Sequence, residues 1–139
     1  MKHVRWFVAV VSMAVALVCS APALAAPEPI SVKVVPVAQL QADGSARVFV
    51  LVRCAPFGQV LEANLSLSQN DGFVSGFGGL GPIVCDRHWH LASSVVRPFD
   101  GSFRRGRAFA SAFVLLLDPN TGTTRQGQDA RNVVLVAAR

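Results

Sequence analysis

From Ile30 onward, apolar and polar positions alternate with a period of two in one short run after another, and no stretch sustains the period of an amphipathic helix. Ile30, Val32 and Val34 alternate with Ser31 and Lys33, and Pro36, unable to donate to a ladder, places an edge or a bulge after them. Past the Ala42-Asp43-Gly44-Ser45 turn, a strand from about Ala46 to Cys54 puts Ala46, Val48, Val50, Val52 and Cys54 on one face, the predicted core face, and Arg47, Phe49, Leu51 and Arg53 on the other. Ala55-Pro56-Phe57-Gly58 breaks it. The next strand, about Val60 to Ser68, alternates Leu61, Ala63, Leu65 and Leu67 against Glu62, Asn64, Ser66 and Ser68.

The second half of the chain is less regular. Gln69-Asn70-Asp71-Gly72 is a turn, and Gly76, Gly78, Gly79 and Gly81 weaken the stretch from Phe73 to Pro82, which reads as a short or irregular edge strand with a loop. A strand expected from Ile83 through Cys85 to about Val96 would carry Cys85, Arg87, Trp89, Leu91, Ser93 and Val95 on one face. Placing Cys85 inward places Trp89 inward with it, and leaves Asp86, His88 and His90 facing out. After Asp100-Gly101, the run Ala108 to Leu117 is apolar on both faces, as in a central strand. A polar loop to Asp129 precedes a last strand, roughly Arg131 to Ala137. About seven short strands at turn-punctuated spacing predict an all-β fold, an antiparallel two-sheet sandwich.

Composition changes this picture at the N-terminus. Lys2, His3 and Arg5 precede an apolar run from Trp6 to Val18, and Ala23-Leu24-Ala25 then offers a small-x-small cleavage pattern, so residues 1–26 read as a secretory signal peptide and residues 27–139 as a single domain. Cys19, Ser20 and Pro22 break the run short of the roughly 20 apolar residues of a membrane span. Retention as an anchor and lipidation at Cys19 are the competing fates, although Leu17-Val18 fits the lipidation pattern poorly. Export and cleavage leave two cysteines for an oxidising compartment, and Cys54 and Cys85 are expected to pair.

The whole chain carries a net charge of +5, and cleavage lowers this to about +3, nearly all of it from scattered arginine. That is too diffuse for a nucleic-acid partner. The strand of alternating valines ending in Cys54, the segment Cys85-Asp86-Arg87-His88-Trp89-His90 and the segment from Gly101 to Ala108 together resemble small exported immunoglobulin-like sandwich proteins of bacteria, mostly uncharacterised. The resemblance implies an immunoglobulin-like sandwich held by one disulfide. The chain more loosely resembles secreted apoprotein carriers of enediyne antibiotics, sandwiches of similar size, and departs from them in having cysteines for one disulfide where those carry two, which counts against that carrier role.

Candidate chemistry is sparse. His88 and His90, two apart on a strand, would project together and share a metal ion, with Asp86 completing a row; the plain alternative is a solvent face. Arg104, Arg105 and Arg107 form the one basic concentration, suited to anionic envelope polymers, lipid head groups or an acidic extracellular protein, or simply a solvated turn. Phe73 and Phe77 are either an exposed patch or tucked under a loop. There is no GxSxG elbow, no phosphate loop and no CxxC, and Asp43, Asp71, Asp100, Asp118 and Asp129 fall where turns are expected. The expectation is therefore a secreted, non-enzymatic binding module without a cofactor. The alternative is a small-ligand or metal carrier using the His88/His90 strand face.

Overall fold

The computed structural model describes residues 30–56 and 58–139; the proposed leader and Cys19 lie outside the described residues. Eight strands follow in order: β1 (Ser31–Val34), β2 (Val37–Leu40), β3 (Ala46–Arg53), β4 (Gln59–Gln69), β5 (Val74–Gly79), β6 (His90–Pro98), β7 (Gly106–Leu117) and β8 (Thr124–Ala137). Pro36 divides β1 from β2, and the two lie along the same side of β3, where Val32 faces Val52 and Leu40 faces Ala46. They therefore fill one position in the sheet.

The two-sheet sandwich expected from the strand spacing is not the observed architecture. β3 pairs with β6, β6 with β5, β5 with β4, β4 with β7, β7 with β8, and β8 returns to β2 in a parallel pairing, so the strands close into a seven-stranded barrel. Sequence alternation reports which face of a strand is buried, and a barrel wall and a sandwich layer share that signal; closure depends on pairings between strands, which alternation does not encode. Two joins make it. One is the parallel β2–β8 pairing, from Val37↔Val134 to Leu40↔Ala137. The other is the short β5–β6 pairing of Gly76↔Pro98 and Phe77↔Arg97.

The glycine-rich stretch makes the second join. It was expected as an irregular edge, but β5 is bonded on both sides, and its glycines are what let it approach β6. A Cβ on Gly76 would lie 2.1 Å from the Arg97 carbonyl oxygen, and one on Gly78 would lie 2.5 Å from Ser94 Oγ. Small inward residues meet the same constraint elsewhere: Ala38, Ala46, Ala92, Ala110 and Ala112 line the interior between Val48, Val50, Leu65, Leu67, Val114 and Leu135. Ser94 belongs to this lining, and its hydroxyl has no hydrogen-bond partner among the described residues.

β8 begins at Thr124, well before the expected Arg131. Its first half shows no apolar signal because Gln126 and Gln128 face solvent while the inward position is Gly127, pressed against Ile30 and Val32. Asp129, expected to be a turn residue, lies within this strand: its Oδ2 accepts a 2.8 Å hydrogen bond from the Val34 amide beside the Pro36 break and pairs with Arg131 at 2.8 Å.

The Cys54–Cys85 disulfide is formed, closing a 31-residue separation. On the chain-entropy model such a loop contributes about 3 to 4 kcal/mol, a large part of the roughly 5–15 kcal/mol margin of a small domain.

Candidate binding face

The Cys85 segment does not carry the parity expected of it. β6 starts only at His90, and the residues before it form a loop in which Arg87 takes a φ of +69°. Alternation cannot be carried through a left-handed residue, so the side of Cys85 does not fix the side of Trp89. The register with β3 decides instead: Val50 faces Ala92 and Val48 faces Ser94 across the ladder, and Ala92, Ser94 and Val96 are the inward row. The expected inward residues Trp89, Leu91 and Val95 point out, and Trp89 is not part of the core.

This leaves a large apolar row on the outside of one strand. Leu91 is 60% exposed, Val95 42% and Phe99, just past the strand, 65%, with Trp89 at 37% leading in. Neighbouring strands widen the row. Leu91 faces the half-buried Leu51 and Ser93 faces Phe49 on β3, while Phe77 of β5, 65% exposed, meets Phe99 edge-on with ring centroids 5.4 Å apart. Phe73, at the β4–β5 turn, is 88% exposed. Phe73 and Phe77 are both exposed and do not tuck under a loop, and Phe77 joins the apolar row through Phe99.

Cations rim the same face. Lys33 Nζ lies 4.9 Å and the Arg53 guanidinium carbon 5.0 Å from the Trp89 ring centroid, a cation on β1 and another on β3 each within cation–π range. Arg47 stands opposite Val95, and Arg97 opposite Phe77.

The row proposed for metal binding is arranged differently from the expectation. Asp86 and His88 are in the loop rather than on a strand, and Asp86 Oδ1 accepts from the His88 backbone amide at 2.9 Å and contacts His90 Nε2 at 2.7 Å. The amide bond above all, and then the imidazole, hold the Asp86 carboxyl below its ordinary value of 3.8. Among the described residues no three of His, Cys, Asp or Glu gather into a metal-binding group.

Arg104 and Arg105 are exposed on the loop leading into β7, and Arg107 is exposed at the second position of the strand. That loop is rigidly held by two residues sequence reasoning missed. Phe103 is buried in the core, and buried Gln69 donates through Nε2 to the carbonyls of Arg104 at 2.8 Å and Arg107 at 3.2 Å while its Oε1 accepts from the Arg104 amide at 2.9 Å. Gln69 stood in an apparent turn, and nothing in its sequence neighbourhood marked it. Arg107 also borders an open groove of about 570 Å³ with Asn70, Phe109 and Asn132.

The interior offers less. A cavity at the disulfide end, lined by Ile30, Cys54, Pro56, Leu116 and Arg125, holds only about 40 Å³, room for a few waters. Among the described residues no helix is long and apolar enough to cross a membrane. The chain matches no family model, no curated protein and no solved structure.

Proposed function

We propose that the protein is an exported, non-enzymatic binding module that acts through the outer face of β3, β6 and β5. The observation that carries this reading is the uncovered row Trp89, Leu91, Val95 and Phe99 with Phe77 beside it, because a monomeric surface rarely leaves that much contiguous apolar area without a partner. The leader-like pattern of residues 1–26 and the Cys54–Cys85 disulfide favour a site of action outside the cytoplasm.

Several carboxylates that chemistry would need are engaged locally: Asp43 with Ser45, Glu62 with Asn64, Asp118 with Arg125 and Asp129 with Arg131. Asp43 and Asp118 serve turns, and Glu62 and Asp129 lie within β4 and β8.

The test compares two immobilised proteins, the wild type and a Leu91→Glu, Phe77→Glu double variant with the same disulfide and near-ultraviolet circular dichroism. Exposed to envelope and medium fractions of the producing cells, the wild type is expected to retain components that the variant releases. Identical retention by both, or turnover of a hydrolase substrate panel by the wild type, overturns the reading.

A further inference from the structure

We infer that the outer face of β3, β6 and β5 docks on an anionic lipid surface: Trp89, Leu91 and the Phe77–Phe99 pair enter the headgroup boundary, and Lys33, Arg47, Arg53 and Arg97 meet lipid phosphates. This rests on the binding reading above and names its partner.

Charge complementarity is the first ground. Four cations surround the apolar row, two of them stacked against Trp89. Asp100, next to Phe99, and Asp71, two before Phe73, are exposed at the turn end of the face, away from the Trp89 end where Lys33 and Arg53 stand, and two other carboxylates are engaged elsewhere. Asp86 is bonded to His90, whose side chain leaves β6 on the side opposite Leu91, and Asp43, which feels the charge of Arg97, is held by Ser45 within its own turn. An apolar strip bordered by Lys and Arg, with an indole among them, matches the boundary of an anionic bilayer: the rings sit at headgroup depth and the long cationic side chains reach the phosphates.

Shape and pairing are the second ground. β6 is hydrogen-bonded to β3 along its length and on its other side to β5 and the Gly81 amide from Ser93 onward, so no partner strand can be added over that stretch. A barrel wall is convex, and Phe73, Phe77 and Phe99 stand out from it; a rigid protein would need a matching socket for each ring, whereas a headgroup layer yields to them. A second copy of this chain is disfavoured, because a two-fold contact through this face would bring both sets of four cations together.

The experiment uses the protein as its producing cells mature it, with a Trp6→Phe change so that Trp89 is the single indole whatever the processing. It is mixed with vesicles of phosphatidylcholine alone or of phosphatidylcholine with phosphatidylglycerol. Co-sedimentation and a blue shift of Trp89 emission are expected only with phosphatidylglycerol, weakening as salt rises. Removing a surface cation is expected to lower partitioning about fivefold, so Lys33→Glu with Arg53→Glu should lower it at least tenfold. Arg47→Glu, away from Trp89, should lower it in the same direction and guards against a local disturbance around the indole. Equal binding to neutral vesicles, no blue shift, or charge reversals without effect would overturn the inference. An acidic protein retained through this face, with no vesicle binding, defeats the lipid partner and leaves the binding reading standing. Loss of both defeats both.

Discussion

Strands β6 and β7 carry the same kind of sequence to opposite ends. Each puts small residues inward, Ala92 and Ser94 on β6, Ala110 and Ala112 on β7, and large apolar residues outward. Each is hydrogen-bonded on both sides. On β7 the outward residues are half-covered: Phe113 lies between Asn64 of β4 and Gln128 of β8, and Leu115 between Glu62 and Gln126, with Asn64 and Glu62 tied to each other at 2.6 Å. On β6 the neighbours are Leu51, Phe49 and Phe77, which extend the apolar surface. Phe109 shows where the cover on β7 ends: its partners are Asn132 and the short Ser68, and it is half exposed. What an outward apolar residue becomes, wall or binding surface, is therefore decided by the side chains in register beside it on the next strands.

The sharpest way to break this comparison is to open the seam that places Phe77 beside β6. Gly76→Val would drive a side chain into the Arg97 carbonyl, which a Cβ already meets at 2.1 Å. The expected cost is about 3 kcal/mol, measured by urea unfolding with the disulfide intact. Hydrogen exchange should show the loss concentrated in β5 and β6, with β7 protected by β4 and β8. Uniform loss across β7 would mean that the two strands do not belong to separable walls.

A smaller effect sets the two outer rows directly against each other. Phe113→Ser on β7 removes a half-buried ring and should cost about 1 kcal/mol. Leu91→Ser on β6 removes a residue already 60% exposed and should change stability by no more than about 0.5 kcal/mol. Equal costs in chemical denaturation would show that β6 is covered in solution and that its apolar row is not a free face.

The residues explain how much of this was legible. Where one face of a strand meets the core and the other meets water, alternation gave the right side: Val48, Val50, Val52 and Cys54 of β3 are buried as their spacing predicts, and so are Leu65 and Leu67 of β4. It failed where size ran against position. The barrel interior takes Ala92, opposite Val50, and Ser94, opposite Val48, while Trp89 and Leu91 turn out, so the larger apolar row of β6 was the misleading one. The pairing of Cys54 with Cys85 followed from cysteine count and the leader-like pattern of residues 1–26. Closure by Gly76 and Gly78, the Gln69 anchor and the Asp129 bond to Val34 all depend on partners distant in sequence, and no local pattern announces them.

The entries of the two strands differ in a way that pH can separate. The loop into β7 is held by Gln69, an amide with no titration, whereas the loop into β6 is held by Asp86, whose charged form accepts from the His88 amide and contacts His90. Because these bonds lower the Asp86 carboxyl below 3.8 in the folded protein, their contribution is in place above that value and is lost as pH falls through the lowered one. Asp86 is exposed, so global stability should hardly move, and the change should be local. Emission from Trp89, three residues on, is expected to shift as pH falls below about 3.8, while amide protection at the start of β7 stays level. Asp86→Ala should show the shifted emission at every pH. If the variant and the wild type titrate alike, Asp86 does not set the entry to β6, and the presentation of Trp89 rests on its contacts with Lys33 and Arg53 alone.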